Sequence, residues 1–123
     1  MEVQPFTGVS KMRQWHVPTH ILCNRHLLGE HVEHHMFVGS INRGISIQGY
    51  LEKSLLQPES LHRRHDEIAA EMARRGMWHH STLLPVLRKF TDQELAYKVD
   101  AQSSLQDLIS RCPTCRARYE ETL

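Results

Sequence analysis

The stretch His26-Leu-Leu-Gly-Glu-His-Val-Glu-His-His35 decides the reading of this chain. It places four histidines and two glutamates within ten residues. At about 100° per residue on a helix, His26, Glu30, Glu33 and Phe37 fall on one narrow face. Leu27, Leu28, Val32, Met36 and Val38 spread over the other side, with Ile21 joining them earlier in the chain. The expected helix buries that apolar side and presents an imidazole beside two carboxylates. Acids one turn apart repel, which raises the pKa of at least one. Such a grouping suits proton transfer or ligand binding better than it suits stability. The plainer reading of the same residues is a solvated, histidine-rich helix face.

Working outward, this helix is expected over about residues 20–42, capped by Thr19 or Asn24 and stopped by Asn42-Arg-Gly44. Gly29 and Gly39 lie inside it, and a glycine within a helix often permits close approach of a backbone or a ligand. Pro18 disfavours helix at Val17, so Met12–Val17 reads as an extended lead-in. A second helix is predicted over about 58–75. Pro58 opens it, Leu61, His65, Ile68 and Met72 form its stripe, and Arg74-Arg75-Gly76 closes it. Met77–Pro85 reads as a loop and Pro85–Lys98 as weakly helical. Leu105, Leu108 and Ile109 mark a third helix over about 100–111, ended by Pro113. No strand alternation lasts. The expectation is an all-α fold: a single compact domain of three main helices with irregular connections over residues 12–123, preceded by an irregular arm at 1–11.

With 123 residues, 40% of them hydrophobic, the chain suffices for one domain with one core. The net charge is +1 with the histidines neutral, so no global basic signature marks a polyanion partner. Ten histidines make the charge strongly pH-dependent. Three cysteines, an odd number, argue against a disulfide framework and for a reducing compartment. No run approaches the roughly 18 apolar residues of a membrane span, and no secretory pattern opens the chain. A cytoplasmic, reducing location without membrane partners is therefore expected.

Three constellations compete for chemistry. His26 and Glu30, at i and i+4, can share a divalent metal, with His62, His65 and Asp66 of the second helix completing the site and Glu33 as general base on bound water. His34, His35, His79 and His80 are expected at the surface or in support. Cys112-Pro-Thr-Cys115 could be half a zinc site or a redox pair. No second CxxC follows and Cys23 is far off in sequence, so the preferred reading is a thiol pair closing the third helix against the core. Trp15 and Trp78 are expected as core or pocket walls. The pairs Arg63-Arg64 and Arg74-Arg75 read first as a solvated helix face; lying eleven residues apart, close to one side, they also keep phosphate contacts open.

Taken in order, several motifs resemble the phage endonuclease V family, the pyrimidine-dimer DNA glycosylase/AP lyases. They are Arg13, Leu22 and His26-Leu-Leu-x-Glu30-x-x-Glu33; the run from Ser60 to Gly76; and Leu105-x-x-x-Ile109-x-x-x-Pro113-Thr114. The resemblance covers roughly residues 12–119. It implies an all-α base glycosylase/AP lyase that flips a base from damaged or abasic DNA, with no cofactor. In that family an N-terminal amine attacks the sugar C1′ to form an imine, and a glutamate assists glycosyl transfer and β-elimination. Carried over, Met12 holds the place of the nucleophile, Glu33 that of the glutamate, His26 that of the histidine and Arg13 that of the N-terminal arginine, with Glu30 beside them. Arg13, Arg63, Arg64, Arg74 and Arg75 would contact DNA phosphates.

The chain departs from the pattern at several points. Eleven residues precede Met12, so a free amine there needs a start or a cleavage at that position. Val32 stands where an arginine is expected, Ser104 and Leu108 where basic residues are, and Cys115 where a tryptophan is; of the aromatic tail only Tyr119 remains. Two alternatives follow: a metal-dependent hydrolase on the same scaffold using His26, Glu30, His62 and His65, and a non-catalytic module that binds nucleic acid or protein.

Overall fold

A computed structural model describes residues 12–77 and 81–123; the arm at 1–11 and Trp78, His79 and His80 lie outside the described residues. Among the described residues the chain is helical and has no strand. Its elements are α1 (Asn24–Asn42), α2 (Gln48–Glu52), α3 (Leu61–Arg74), α4 (Asp92–Leu95), α5 (Ala101–Arg111) and α6 (Pro113–Glu120), with 3₁₀ turns at Thr19–Ile21 and Pro58–Ser60. The three main helices stand where the hydrophobic pattern placed them. Gly44 and Gly76, with φ of 77° and 73°, follow α1 and α3, a left-handed backbone that glycine adopts without steric cost.

The boundaries differ in instructive ways. The first helix starts at Asn24, not near 20. Its N-cap is Cys23, and neither Thr19 nor Asn24 caps it. Pro58 opens a 3₁₀ turn that leads into α3. Asp100 caps α5 by accepting from the backbone N–H groups of Gln102 and Ser103. Only Asp92–Leu95 of the weakly helical 85–98 region is helix, held by a capping box between Thr91 and Glu94. Pro113 ends α5 and also opens α6: it sits at the first helical turn, where its missing N–H is no loss, and the Cys112 sulfur accepts from the Cys115 backbone N–H.

Helices α1 and α3 pack antiparallel. The Glu30 carboxylate near the start of α1 meets Arg64 of α3 at 2.8 Å, and Arg75 beyond the end of α3 donates to Asn24 at 2.9 Å. Two apolar clusters form at opposite ends of this pair. One gathers Trp15, Val17, Ile21, Leu22, Leu27, Ile68, Met72 and Leu108 with the three cysteines. The other gathers Met12, Phe37, Val38, Ile41, Leu51, Leu56 and Leu61. Between them along both helices lies a buried polar layer of Glu30, His31, His34, Arg64 and His65.

That layer corrects the expected face of α1. Leu28, Val32 and Met36, taken as core, are 46–48% exposed, whereas Glu30 and His34 are fully buried. The polar side turns inward because Glu30 and His34 find hydrogen-bond partners there. Glu30 takes both Nε and Nη2 of Arg64, and His34 takes Gln14. A buried polar group so satisfied escapes most of its desolvation cost. His34, expected at the surface or in support, is thus a core residue.

The extended segment 12–17 is likewise more than a lead-in. It threads the core, with Met12–Trp15 and Val17 all buried. Gln14 donates its backbone N–H to the Leu55 carbonyl and accepts the Gln57 N–H at 2.7 Å. Its amide also reaches Ser60 and His34. The segment is fixed in place, which fixes Arg13 and Trp15.

Candidate active site

The extended segment and the first three turns of α1 face each other across a cavity of about 370 Å³. It is lined by Arg13, Trp15, Arg25, His26, Gly29, Glu30, Glu33, Leu55 and Arg111. Of the expected site residues the structure brings together Glu33, His26, Glu30 and Arg13. Met12 is the neighbour of Arg13 in the chain and is buried in the second apolar cluster.

Glu33 is half-buried, and its Oε1 accepts the backbone N–H of Arg13 at 2.9 Å. Burial pushes its pKa from the usual 4.5 up to about 7; the Arg13 N–H opposes the rise and the charge of Glu30 adds to it. Repulsion between the two acids, expected as the cause, is thus a smaller contribution than desolvation. Both protonation states of Glu33 are populated near neutrality, as an acid/base group requires. Glu30 has another job. Its carboxylate is gripped on both oxygens by Arg64 at 2.8 and 3.1 Å, wholly out of solvent. It borders the cavity as one half of an ion pair.

Arg13 is held from several sides. Its guanidinium donates to Asp107 at 3.0 Å and to Ser104 at 2.9 Å and lies 3.9 Å over the ring of Trp15. The Ser104 hydroxyl also donates to the Trp15 carbonyl. So the Arg13 guanidinium, expected on a DNA phosphate, is tied to Asp107 and Ser104 of α5. His26 is half-buried; burial, then the charges of Arg25 and Arg111, lower its pKa. Its Nδ1 faces the sulfurs of Cys23 and Cys115 at 3.2 and 3.5 Å.

The arginines expected on DNA divide into two kinds. Arg63 and Arg74 are exposed; Arg63 pairs with Glu59 at 3.5 Å and Arg74 with Glu71 at 2.7 Å. Arg64 is buried on Glu30. Arg75 bonds Glu71, Asn24 and the carbonyl of Thr19. These last two hold the fold together, which corrects their expected role as phosphate contacts. Sequence reasoning missed Arg25 and Arg111, which stand at the cavity itself. Arg25 was legible as the neighbour of His26. Arg111 was not, because 98 positions separate it from Arg13 in the chain.

The metal set expected from His26, Glu30, His62 and His65 does not assemble among the described residues. His62 is exposed and approaches the Leu84 carbonyl. His65 joins His31 and His35 instead. His26 groups with Cys23, Cys112 and Cys115.

With this layout in view, the family can be stated. The chain belongs to the pyrimidine dimer DNA glycosylase family, whose model matches residues 12–85, more than half of its length. No curated protein and no solved structure matches it. The matched region opens at Met12 and supplies every residue of the cavity wall except Arg111.

Proposed function

We propose that the chain excises damaged bases from DNA and cleaves at the resulting abasic site, with Glu33 as its acid/base residue. The observation that carries this reading is Glu33 itself: a carboxylate facing a cavity, poised at about pH 7, and hydrogen-bonded one residue from Met12. A free amine at Met12 would attack the sugar C1′ and displace the base. Loss of the amine proton and opening of the ring then give an imine. Protonated Glu33 assists the departing group, and the carboxylate it leaves behind removes the C2′ proton, so that the 3′ phosphate departs by β-elimination. His26 and the cationic rim of Arg25 and Arg111 would position the strand. Trp15 offers an aromatic wall to a flipped base.

The test is borohydride trapping on an oligonucleotide with one abasic site, run on the full chain and on a chain that begins at Met12. The expected result is a covalent adduct with the chain that begins at Met12, lost on acetylating its amine and reduced on the order of a hundredfold or more in Glu33→Gln. An adduct that is indifferent to Glu33→Gln, or none from either chain, refutes the mechanism.

A further inference from the structure

We propose that Cys23, His26, Cys112 and Cys115 bind one structural zinc ion. The motif is Cys23-x-x-His26 with Cys112-x-x-Cys115, two halves with the two-residue spacing that structural zinc sites use.

The fold brings these halves together from 89 residues apart. Cys23 and Cys112 place their sulfurs 3.9 Å from each other. His26 Nδ1 lies 3.2 Å from the Cys23 sulfur and 3.5 Å from that of Cys115. All four donor atoms fall within 4.8 Å of one another. Zinc–sulfur bonds of about 2.3 Å and a zinc–nitrogen bond of about 2.05 Å, at tetrahedral angles, require S···S near 3.8 Å and S···N near 3.5 Å. The separations of 3.9, 3.2 and 3.5 Å lie within about 0.3 Å of those values, and every other pair of donors stays within 4.8 Å. The three cysteines are free, and the 3.9 Å between the Cys23 and Cys112 sulfurs is far from the roughly 2.05 Å of a disulfide.

The surroundings suit a thiolate-rich centre. The backbone N–H of Cys23 donates to the Cys115 sulfur at 3.2 Å, and that of Cys115 to the Cys112 sulfur at 3.4 Å. Such N–H groups offset the charge that three thiolates and a divalent ion leave behind. Arg25 and Arg118 line the opening beside Cys23 and complete the compensation. All three cysteines are buried, so water is kept away. A soft S₃N donor set in a tetrahedron selects zinc over the oxygen-loving divalent ions.

The ion ties the cap of α1 to the junction of α5 and α6. It also takes the Nδ1 of His26, which leaves the neutral ring's proton on Nε2. The histidine at the cavity edge then serves as a fixed donor that cannot gain charge.

The test begins with metal content. Protein purified without chelator in reductant should carry close to one zinc per chain. Cobalt should replace it and give the intense visible bands and the sulfur-to-cobalt charge transfer of a tetrahedral thiolate centre. All three thiols should resist alkylation until a chelator is added. Cys115→Ser should weaken zinc binding by at least the roughly 10–100-fold that loss of an outer partner costs at such sites. If that variant does not fold, the cobalt spectrum and the alkylation protection of the unmutated chain still decide. Zinc-free protein that takes up neither zinc nor cobalt, or zinc that leaves the three thiols open to alkylation, overturns the site. Neither readout depends on glycosylase activity, so this site and the proposed reaction stand or fall separately.

Discussion

Replacing Glu33 with glutamine should make the protein more stable as well as less active, and the gain should depend on pH. The carboxyl is raised from 4.5 to about 7, chiefly by burial. Between those values the folded chain keeps a proton that the unfolded chain has released. Stability therefore falls as pH rises from about 4.5 to 7 and stays at the lower level above that. At about 1.4 kcal/mol per tenfold change in proton affinity, the fall is at most about 3.5 kcal/mol. Glu33 is only half-buried, and solvent screening leaves about 1–2 kcal/mol of that. Glutamine keeps an oxygen for the Arg13 N–H and cannot ionise. Urea denaturation of both proteins at several pH values reads the effect directly. The variant should exceed wild type by about 1–2 kcal/mol at pH 8, with the gap closing toward pH 4. Parallel stability curves, or a variant that is weaker at pH 8, would show that burial does not strain this carboxylate, and the argument for its role would go with it.

Three further outcomes are expected. Arg64→Met strands the Glu30 carboxylate in the core and should cost about 3–5 kcal/mol, while adding Glu30→Leu should recover much of the loss; thermal melts of the single and double variants check this. His34 is pushed down to about 4, mainly by burial; its Nδ1–H serves the Glu30 carbonyl and its Nε2 accepts from Gln14. The unfolded chain binds this proton at higher pH than the folded one, so stability is full above 6.5 and is lost as pH falls toward 4. His34→Gln should flatten that acid limb in a pH-resolved melt. Finally, Gly29→Ala should raise stability by up to about 1 kcal/mol, because the added methyl meets only Glu33 Oε2 at 4.0 Å. It should slow turnover if the substrate sugar fills the cavity, and a faster enzyme would place the sugar elsewhere.

How far the sequence could be read follows from the range of each interaction. The helices and their stops rest on local rules such as Gly44, Pro58 and Gly76, and these were legible. The ring of Glu33, His26 and Arg13 came from motif order, and the cavity contains all three. The buried face of α1 was misread because hydropathy sends Leu28 and Val32 inward, whereas Glu30 goes inward on account of an arginine 34 positions later. No window of helical periodicity contains both partners. Pro113 read as a stop because a proline that ends one helix and one that begins the next look alike locally. The sulfur cluster was hidden by a longer separation, 89 positions, although Cys23-Asn-Arg-His26 carried the spacing of Cys112-Pro-Thr-Cys115 in plain view.

The polar layer between the two apolar clusters has a bearing on how this chain can change in evolution. Sliding α3 along α1 by one turn, about 5.4 Å, would set Glu30 against Leu61 or Ile68 and leave Arg64 facing hydrocarbon. Insertions or deletions within residues 30–41 or 61–72 should therefore be nearly forbidden, since each shifts either the polar layer or an apolar cluster out of register with the other. The largely helix-free stretch 81–91, which is mostly exposed, is where length variation among relatives should collect.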